Sequence, residues 1–354
     1  MIPLAFYAPL KAPGHPTPSG DREIARALRD ALRGAGFDPV LASDLRSLDT
    51  VGDRDKQNAI RRQASAQLPA LIAHGAQEGW RAWVSYHNYY KAPDLLGPSV
   101  SKALGIPYVQ IESTRARKRL TGPWERFASA AEAAADAATA ILFFTDRDAK
   151  ALRAYHPEGQ TLRHLPPFLN RTDLPVAGDR QGPLLAVGMM RPGDKLASYE
   201  LIAATLERLR EDTDWRLDIA GDGTARPQVE ALMAPFGDRV RFLGQLDAEG
   251  LARAYASARA LIWPGVNEAI GLTYLEAQAA GVPVLAQDRP GLREVIAPDN
   301  PLVPVEAGPD GLAAMLRQFA EAPPDAVALR KHISARHLRA AAAGVLKATL
   351  EEVI

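Results

Sequence analysis

The residues best suited to chemistry are two glutamates, Glu268 and Glu276, with seven residues between them. The apolar run of residues 260–264 predicts a short buried strand, and residues 272–280 predict a helix because they contain neither Gly nor Pro. Glu268 is therefore expected in a strand-to-helix loop, and Glu276 near the first turns of the helix. In an open α/β sheet such a loop borders the ligand crevice. Two carboxylates there can bind hydroxyl groups.

Two cations follow another predicted strand, over residues 184–188. Arg191 and Lys195 come shortly after that strand ends in Gly188. An arginine can bind phosphate oxygens with two parallel hydrogen bonds, and a lysine supplies a point charge. The pair can therefore hold a diphosphate without a bound metal ion.

The order of these features resembles the Glu-x7-Glu group of retaining GT-B glycosyltransferases, a family 4-like group also called glycosyl transferases group 1. Besides the residues above, the resemblance rests on the Gly-Asp-Gly turn of 221–223, the Phe-Leu-Gly of 242–244 and the Gly-x-Pro-Val of 281–284. Two positions depart from the family pattern. Ile270 stands where many relatives have Phe, and Leu196 where they often have Gly.

The resemblance implies a fold and a domain division. The fold is α/β, with two Rossmann-like, doubly wound domains whose parallel sheets face a central cleft. It implies an acceptor-binding domain over 1–170, a donor-binding domain over 171–335, and a closing helix over 336–354 that packs back on the first domain. The alternation of apolar runs with helical patterns independently indicates two parallel sheets. Strands are predicted over 4–8, 38–42, 82–86, 108–111 and 140–145 in the first set, and over 184–188, 215–222, 240–244, 260–264 and 281–286 in the second. Residues 325–354 predict an amphipathic helix.

The resemblance also implies a role for each site residue. The catalytic positions are Glu268, at the donor sugar, and His87, which follows a strand; Glu276 binds the ribose. The diphosphate is bound by Arg191, Lys195, Gly20 and the turn 269–272, in which Gly271 and Leu272 supply amides. The base lies near Phe242, Leu243 and Leu246. No metal and no cofactor is implied, because the nucleotide sugar is the co-substrate.

The residues of the first domain leave alternatives open. Asp21, next to Gly20, is equally well explained as an ordinary helix N-cap. His87 could be structural, although the aromatic and polar residues around it favour contact with a donor or acceptor sugar.

A dense basic segment, Arg115 to Arg126, has aromatic neighbours. It suits an anionic membrane surface or an acidic acceptor such as a lipid diphosphate. A solvated loop leading into the helix near Glu125 is the preferred interpretation.

Composition excludes several classes of protein. The length of 354 residues predicts two domains, and 42 basic against 42 acidic residues give no net field for nucleic acid. The absence of cysteine excludes disulfides, thiol catalysis and cysteine-based zinc sites. Residues 1–7 look like a first strand rather than a signal peptide, and no run reaches the roughly 18 to 20 apolar residues that span a bilayer. A cytoplasmic enzyme is expected, with peripheral contact at the inner membrane face left open.

The function expected from this resemblance is retaining transfer of a hexose from a UDP- or GDP-sugar to an acceptor hydroxyl. The acceptor is a saccharide, glycolipid or small molecule, and the oligomeric state is open. Arg far outnumbers Lys among the 42 basic residues, which favours a GC-rich bacterial genome and hence synthesis of cell-envelope glycan or glycolipid. The alternatives are an epimerase or phosphorylase on the same fold, or a non-catalytic sugar-nucleotide-binding protein.

Overall fold

Buried strands alternate with helices along the chain, as the apolar pattern predicts. The computed structural model describes residues 1–16, 19–212, 214–268 and 270–354. Within them the chain forms two units: unit 1 holds residues 1–166 and 339–354, and unit 2 holds residues 167–338. The division expected from the sequence placed these boundaries at 170/171 and 335/336.

Unit 1 contains a six-stranded parallel sheet in the order β2-β1-β3-β4-β5-β6. Its strands are β1 (Ile2–Tyr7), β2 (Phe37–Ser43), β3 (Trp83–Asn88), β4 (Tyr108–Ser113), β5 (Ala140–Phe143) and β6 (Thr161–His164). The helices that alternate with them are α1 (Gly20–Gly34), α2 (Arg54–Glu78), α3 (Gly97–Leu104), α4 (Glu125–Ala137) and α5 (Asp146–Tyr155). The strand β6 was not predicted, because its four residues are only partly buried and form no apolar run.

Unit 2 contains a five-stranded parallel sheet in the order β11-β10-β7-β8-β9. Its strands are β7 (Leu184–Val187), β8 (Leu217–Ala220), β9 (Val240–Gly244), β10 (Leu261–Ile262) and β11 (Val284–Leu285). Its helices are α6 (Asp194–Arg208), α7 (Arg226–Met233), α8 (Ala248–Ser257), α9 (Leu272–Ala279), α10 (Gly308–Glu321) and α11 (Ala326–Arg336). After β11 the chain forms a short 3-10 turn, Leu292–Glu294, before α10.

Each sheet reverses its strand order at one point. In unit 1 the chain winds outward in one direction from β1 to β2 and in the other from β3 onward. In unit 2 the reversal lies between β7 and β10. The loops that leave neighbouring strands at such a point diverge to opposite faces, which opens a crevice at the carboxyl ends. Functional side chains are therefore expected after β1 and β3 in unit 1, and after β7 and β10 in unit 2.

The prediction of one helix over 325–354 is wrong, because the chain breaks at His337 and Leu338. His337 ends α11, and its Nδ1 lies 2.6 Å from the carbonyl oxygen of Pro167. Its own carbonyl accepts a hydrogen bond from the Leu169 amide at 2.8 Å. This strand-like pairing with residues 167–169 cannot be made by helical backbone. A twelfth helix, α12 (Arg339–Val353), follows and packs in unit 1 against α1.

Within the described ranges, no helix is both long enough and apolar enough to cross a bilayer.

Candidate functional site

Lys195 and Glu268 meet at the point where the sheet of unit 2 reverses. Lys195 is the second residue of α6, which follows β7, and Glu268 lies in the loop after β10. The Lys195 Nζ is 2.5 Å from Glu268 Oε2. Trp263 Nε1 donates a hydrogen bond to the same oxygen at 3.1 Å, and Lys195 Nζ lies 5.1 Å from the centre of the Trp263 ring. The carboxylate and the ammonium therefore hold each other in place before any ligand binds.

The loop between β7 and α6 presents further positive charge. Gly193, with φ of 82°, is the N-cap of the 15-residue α6, so the helix opens beside this loop. The exposed Arg191 guanidinium makes no hydrogen bond or ion pair with any residue that the structure describes. A helix N-terminus offers free amides and partial positive charge to an anion. With Arg191 and Lys195, this loop can hold a diphosphate.

The loops after β7 and β8 touch each other through glycine. Gly221 has φ of 146°, and its amide donates to the Gly244 carbonyl at 2.8 Å. A side chain at Gly221 would collide with the carbonyl oxygen of Gly188. The Gly-Asp-Gly turn therefore lets two strand ends approach closely beside the cations.

Replacing Gly221 with alanine is expected to lower the free energy of unfolding by more than about 1 kcal/mol, because alanine is strained at this φ and meets backbone. Gly237→Ala is the matched control, since Gly237 also has a positive φ of 54° but open space around a Cβ. Urea unfolding of both variants measures the difference. Equal losses in the two variants would contradict the close approach.

The loop that carries Glu268 is tied to α6. Asn267, with φ of 48°, donates from Nδ2 to Asp194 Oδ1 at 3.0 Å, and the Val266 amide donates to Ser198 Oγ at 3.1 Å. The adjacent Ala269 lies outside the described residues. Gly271, with φ of 67°, is the N-cap of α9 and Leu272 its first residue, so both lie where backbone amides lack intrahelical acceptors.

Glu276 is held by a tyrosine that the sequence did not single out. The hydroxyl of Tyr255, in α8, donates to Glu276 Oε2 at 2.9 Å and lies 2.8 Å from Thr273 Oγ1. Burial raises the pKa of the Glu276 carboxyl above its ordinary value, although the Tyr255 hydrogen bond and the charge of Arg171 oppose that shift. A fixed carboxylate at this place can accept hydrogen bonds from a pair of hydroxyls.

The Tyr255→Phe variant is expected to bind a nucleoside diphosphate roughly tenfold more weakly, the cost of losing one hydrogen bond to a charged group. The loss should be larger at pH 6 than at pH 8, because the pKa of Glu276 rises further without the tyrosine. Calorimetric titration at both pH values measures it, with Ser257→Ala at the exposed end of α8 as the control. Wild-type affinity at both pH values would show that Tyr255 does not support the site.

The three residues expected near the base lie at the edge of the sheet. Phe242 and Leu243 belong to β9 and Leu246 follows it, and all three side chains pack against the core of unit 2. The guanidinium of Arg226 lies 5.9 Å from the centre of the Phe242 ring.

His87 lies in a cluster of acids at the corresponding point of unit 1. Its Nδ1 is 3.3 Å from Asp21 Oδ1 and 3.5 Å from Glu112 Oε2. Asp21 comes from the start of α1, where Gly20 is the first residue. The N-cap is Ser19, whose hydroxyl accepts from the Arg22 amide at 3.3 Å, so the alternative of Asp21 as N-cap is wrong. Asp21 is thereby available to face the imidazole.

Backbone strain and electrostatics both mark this cluster. His87 and Glu112 have φ values of 67° and 58°, in the left-handed region that residues other than glycine rarely adopt. Such strain concentrates at functional sites. Burial lowers the pKa of His87, but the charges of Glu112 and Asp21 more than offset it, so that pKa is raised; burial also raises the pKa of Glu112. The acidic neighbours therefore favour the protonated form of the imidazole. Glu112 escaped prediction because one acid at a strand end carries no pattern.

The basic segment is not the uniformly solvated loop that was preferred. Arg115 is buried, and its Nη1 lies 3.0 Å from Glu132 Oε2 and 2.5 Å from Asp136 Oδ1. Arg126 donates to Asn58 Oδ1 at 2.6 Å. These two cations are therefore structural, and the sequence could not separate them from their neighbours.

Among residues 1–16, 19–212, 214–268 and 270–354, no group of three or more His, Cys, Asp or Glu side chains is arranged to hold a metal ion.

Known glycosyltransferases are similar to this chain in sequence. Residues 182–322 match the family described as Glycosyl transferases group 1. A D-inositol 3-phosphate glycosyltransferase of Streptomyces avermitilis is 27% identical over 319 residues, which cover 79% of this chain and 67% of that protein. A GDP-mannose-dependent alpha-mannosyltransferase of Mycolicibacterium smegmatis is 34% identical over 112 residues, 32% of this chain and 27% of that protein.

Two solved structures extend the likeness to the whole chain. The sucrose-phosphate synthase of Thermosynechococcus elongatus has a TM-score of 0.73 at 19% identity, covering 99% of both chains. The apo form of the lipopolysaccharide outer core galactosyltransferase WaaB has a TM-score of 0.68 at 15% identity, covering 100% of both. The expected GT-B fold is confirmed by these likenesses. Residues 182–322, most of unit 2, are therefore similar in sequence to the group 1 glycosyltransferases.

Proposed function

We propose that the protein transfers a hexose from a nucleoside diphosphate sugar to an acceptor hydroxyl, with retention of the anomeric configuration. The observation that carries the proposal is the Lys195–Glu268 pair, placed where the sheet of unit 2 reverses. Arg191 and the N-terminus of α6 stand beside it. A leaving diphosphate gains negative charge as the glycosidic bond breaks, and this is the charge that such groups stabilise.

Lys195 can contact Glu268 and the donor diphosphate at the same time. An ammonium has three donor hydrogens, so Lys195 can keep its contact with Glu268 and still reach a phosphate oxygen. Arg191 can bind a second oxygen through two of its N–H groups. We expect transfer without added metal, because these cations and the helix amides supply the positive charge. Glu276 accepts hydrogen bonds from the ribose.

Retention follows from where the acceptor approaches. Glu268 Oε2 already accepts from Lys195 and Trp263, which favours a positioning role over a nucleophilic one. In the front-face reaction that we propose, the bond from the anomeric carbon to the phosphate oxygen breaks while the acceptor oxygen bonds to the same face of the sugar. The acceptor proton passes to the departing phosphate oxygen.

The chemistry of the relatives supports a UDP- or GDP-sugar as donor and an envelope glycan or glycolipid as product. One relative is named as GDP-mannose-dependent, and a structural neighbour is a lipopolysaccharide galactosyltransferase. We place the enzyme in the cytoplasm, with its acceptor presented at the inner face of the membrane.

Thermal unfolding with a panel of nucleoside diphosphates and their sugars, in the presence of a chelator, tests the donor site. A ligand that binds only the folded state raises the unfolding temperature. One nucleotide should stabilise the wild type selectively, Glu276→Ala should abolish the shift, and Lys195→Ala should reduce it. No shift with any nucleotide would refute the proposal. Transfer of the selected sugar, with the anomeric configuration of the product read by NMR, then tests retention.

A further inference from the structure

Two cations of unit 1 share the same pair of aromatic rings. Lys91 Nζ lies 5.7 Å from the centre of the Tyr90 ring and 5.5 Å from that of Trp124. The Arg119 guanidinium lies 5.2 Å and 5.4 Å from the same two centres. The rings meet edge to face, with centres 5.7 Å apart. We call these four residues the cation–ring cluster.

Backbone hydrogen bonds from three loops fix the cluster. Residues 89–92 form a tight turn after β3, in which the Ala92 amide donates to the Tyr89 carbonyl at 2.9 Å. The Lys91 carbonyl accepts from the Asp49 amide at 2.9 Å, and Trp124 Nε1 donates to the Asp49 carbonyl at 3.3 Å. Asp49 follows β2, so the turn and Trp124 are both anchored to the same residue. All four side chains of the cluster are partly buried, with part of each surface left open.

The positive charge of the cluster is not balanced by the protein. Neither Lys91 nor Arg119 forms an ion pair with a residue that the structure describes, and Arg119 Nε is buried without a hydrogen-bond acceptor. Two partly desolvated like charges against the same rings repel each other. Arg115, a few residues away, shows the contrast, since the chain neutralises it with Glu132 and Asp136. An anion would complete the cluster in the same way.

The cluster is continuous with His87 through adjoining rings, of which one pair is tilted and the other meets edge to face. The His87 and Tyr89 ring centres are 4.8 Å apart, and those of Tyr89 and Tyr90 are 5.6 Å apart. Aromatic rings offer flat, partly apolar surfaces on which a sugar can pack while its hydroxyls reach polar neighbours. A molecule on this row of rings would have one end at His87 and the other at Lys91 and Arg119.

We propose that the cation–ring cluster binds an anionic group, a phosphate or a carboxylate, on the acceptor of the transfer reaction. The identification of the ligand as the acceptor rests on the proposed function. The anion site itself is argued only from residues of unit 1. The acceptor sugar packs on Tyr89 and Tyr90, its reacting hydroxyl points towards His87, and its anionic group takes the place of the missing carboxylate between Lys91 and Arg119. An uncharged sugar lacks that last contact.

Binding of matched sugars with and without charge tests the site. The probes are glucose 6-phosphate, glucuronate and glucose, followed by calorimetry or ligand-observed NMR, together with vesicles of phosphatidylglycerol or of phosphatidylcholine alone. The wild type should bind a charged probe at least tenfold more tightly than its neutral counterpart. The Lys91→Ala/Arg119→Ala variant should lose that preference, and Lys91→Arg/Arg119→Lys should keep it.

The control variant is Arg117→Ala/Lys118→Ala, which removes two exposed cations of the same segment. It should retain the preference. The thermal shift with a nucleoside diphosphate shows that each variant is folded and reports on unit 2, so failure of the donor proposal is seen separately. Preference for free charged sugars places the anion on a soluble acceptor. Preference for anionic vesicles alone places the anion on a lipid headgroup. Either preference supports the inference if the Lys91→Ala/Arg119→Ala variant abolishes that preference. No preference in the wild type, or an equal loss in the control, would overturn the inference.

Discussion

The Lys195→Ala variant is expected to lose roughly 100- to 1,000-fold in kcat, the range seen when one preorganised donor to developing charge is removed. The Lys195 ammonium lies 2.5 Å from Glu268 and at the N-terminus of α6, where it is held before the donor arrives. Its attraction for the diphosphate grows as the glycosidic bond breaks. The loss should therefore appear mainly in kcat, with a smaller rise in KM for the donor.

Steady-state kinetics with the selected donor measures this loss. Lys331→Ala, which removes an exposed lysine of α11 in the same unit, is the control and should behave as wild type. Lys195→Arg keeps the charge with a different shape, and it should recover part of the activity. A rise in KM at constant kcat for Lys195→Ala would mean that the lysine binds the donor equally in the ground and transition states.

The His87→Asn variant is expected to transfer sugar roughly 10- to 100-fold more slowly, the cost of a lost hydrogen bond to a charged group. Asparagine is chosen because it tolerates the left-handed backbone that His87 adopts, with φ of 67°. A fall in activity is then due to the imidazole rather than to strain. Binding of the nucleoside diphosphate, followed by calorimetry, shows whether the loss arises before or during transfer. Unchanged transfer by His87→Asn would remove His87 from the site.

The same variant should change how stability depends on pH. The pKa of His87 is raised in the folded protein, because Glu112 and Asp21 outweigh the effect of burial. The folded state thus holds the proton more tightly, and the resulting stabilisation is complete below the unfolded value of about 6.5. It is lost as the pH rises through the folded-state pKa. The Glu112 and Asp21 carboxylates remain in the variant but lose the charge of His87 that lowers their pKa values, so the difference between the two proteins reports the coupled cluster.

Urea unfolding at several pH values between 5.5 and about 8.5 checks this sign, in the range that an imidazole titrates. The wild type should lose more stability than His87→Asn as the pH rises. Parallel curves would show that the His87 pKa is not shifted by its acidic neighbours.

Sequence reasoning reached β1 to β5 and β7 to β11 because buried parallel strands leave apolar runs. It also selected Lys195 and Glu268, which lie 73 positions apart in sequence and in contact in the structure. Their selection followed from the family order of motifs, since no local pattern joins the two residues. The strand order of the sheet explains their contact physically, because β7 and β10 are neighbours.

The supporting residues were out of reach for a different reason. Tyr255 lies in the Ala-rich helix α8. Its importance comes from its hydrogen bond to Glu276 in α9, which follows α8 and β10 along the chain. Glu112 is one acid among many until β3 and β4 pair and bring it to His87. The break at His337 depends on backbone near Pro167, 170 positions earlier. Contacts of this kind are set by tertiary packing, so they cannot be predicted from the type of a single residue.

The position of α12 has a consequence for the order of synthesis. This helix belongs to unit 1, packs against α1, and reaches β6 through Arg163, which donates to Thr349 Oγ1 at 3.2 Å. On the ribosome its residues emerge after the whole of unit 2. The unit that is translated first is therefore the one that is completed last, in contrast to the usual folding of domains from the N-terminus onward. The α1 surface of nascent unit 1 therefore stays uncovered until α12 has been synthesised.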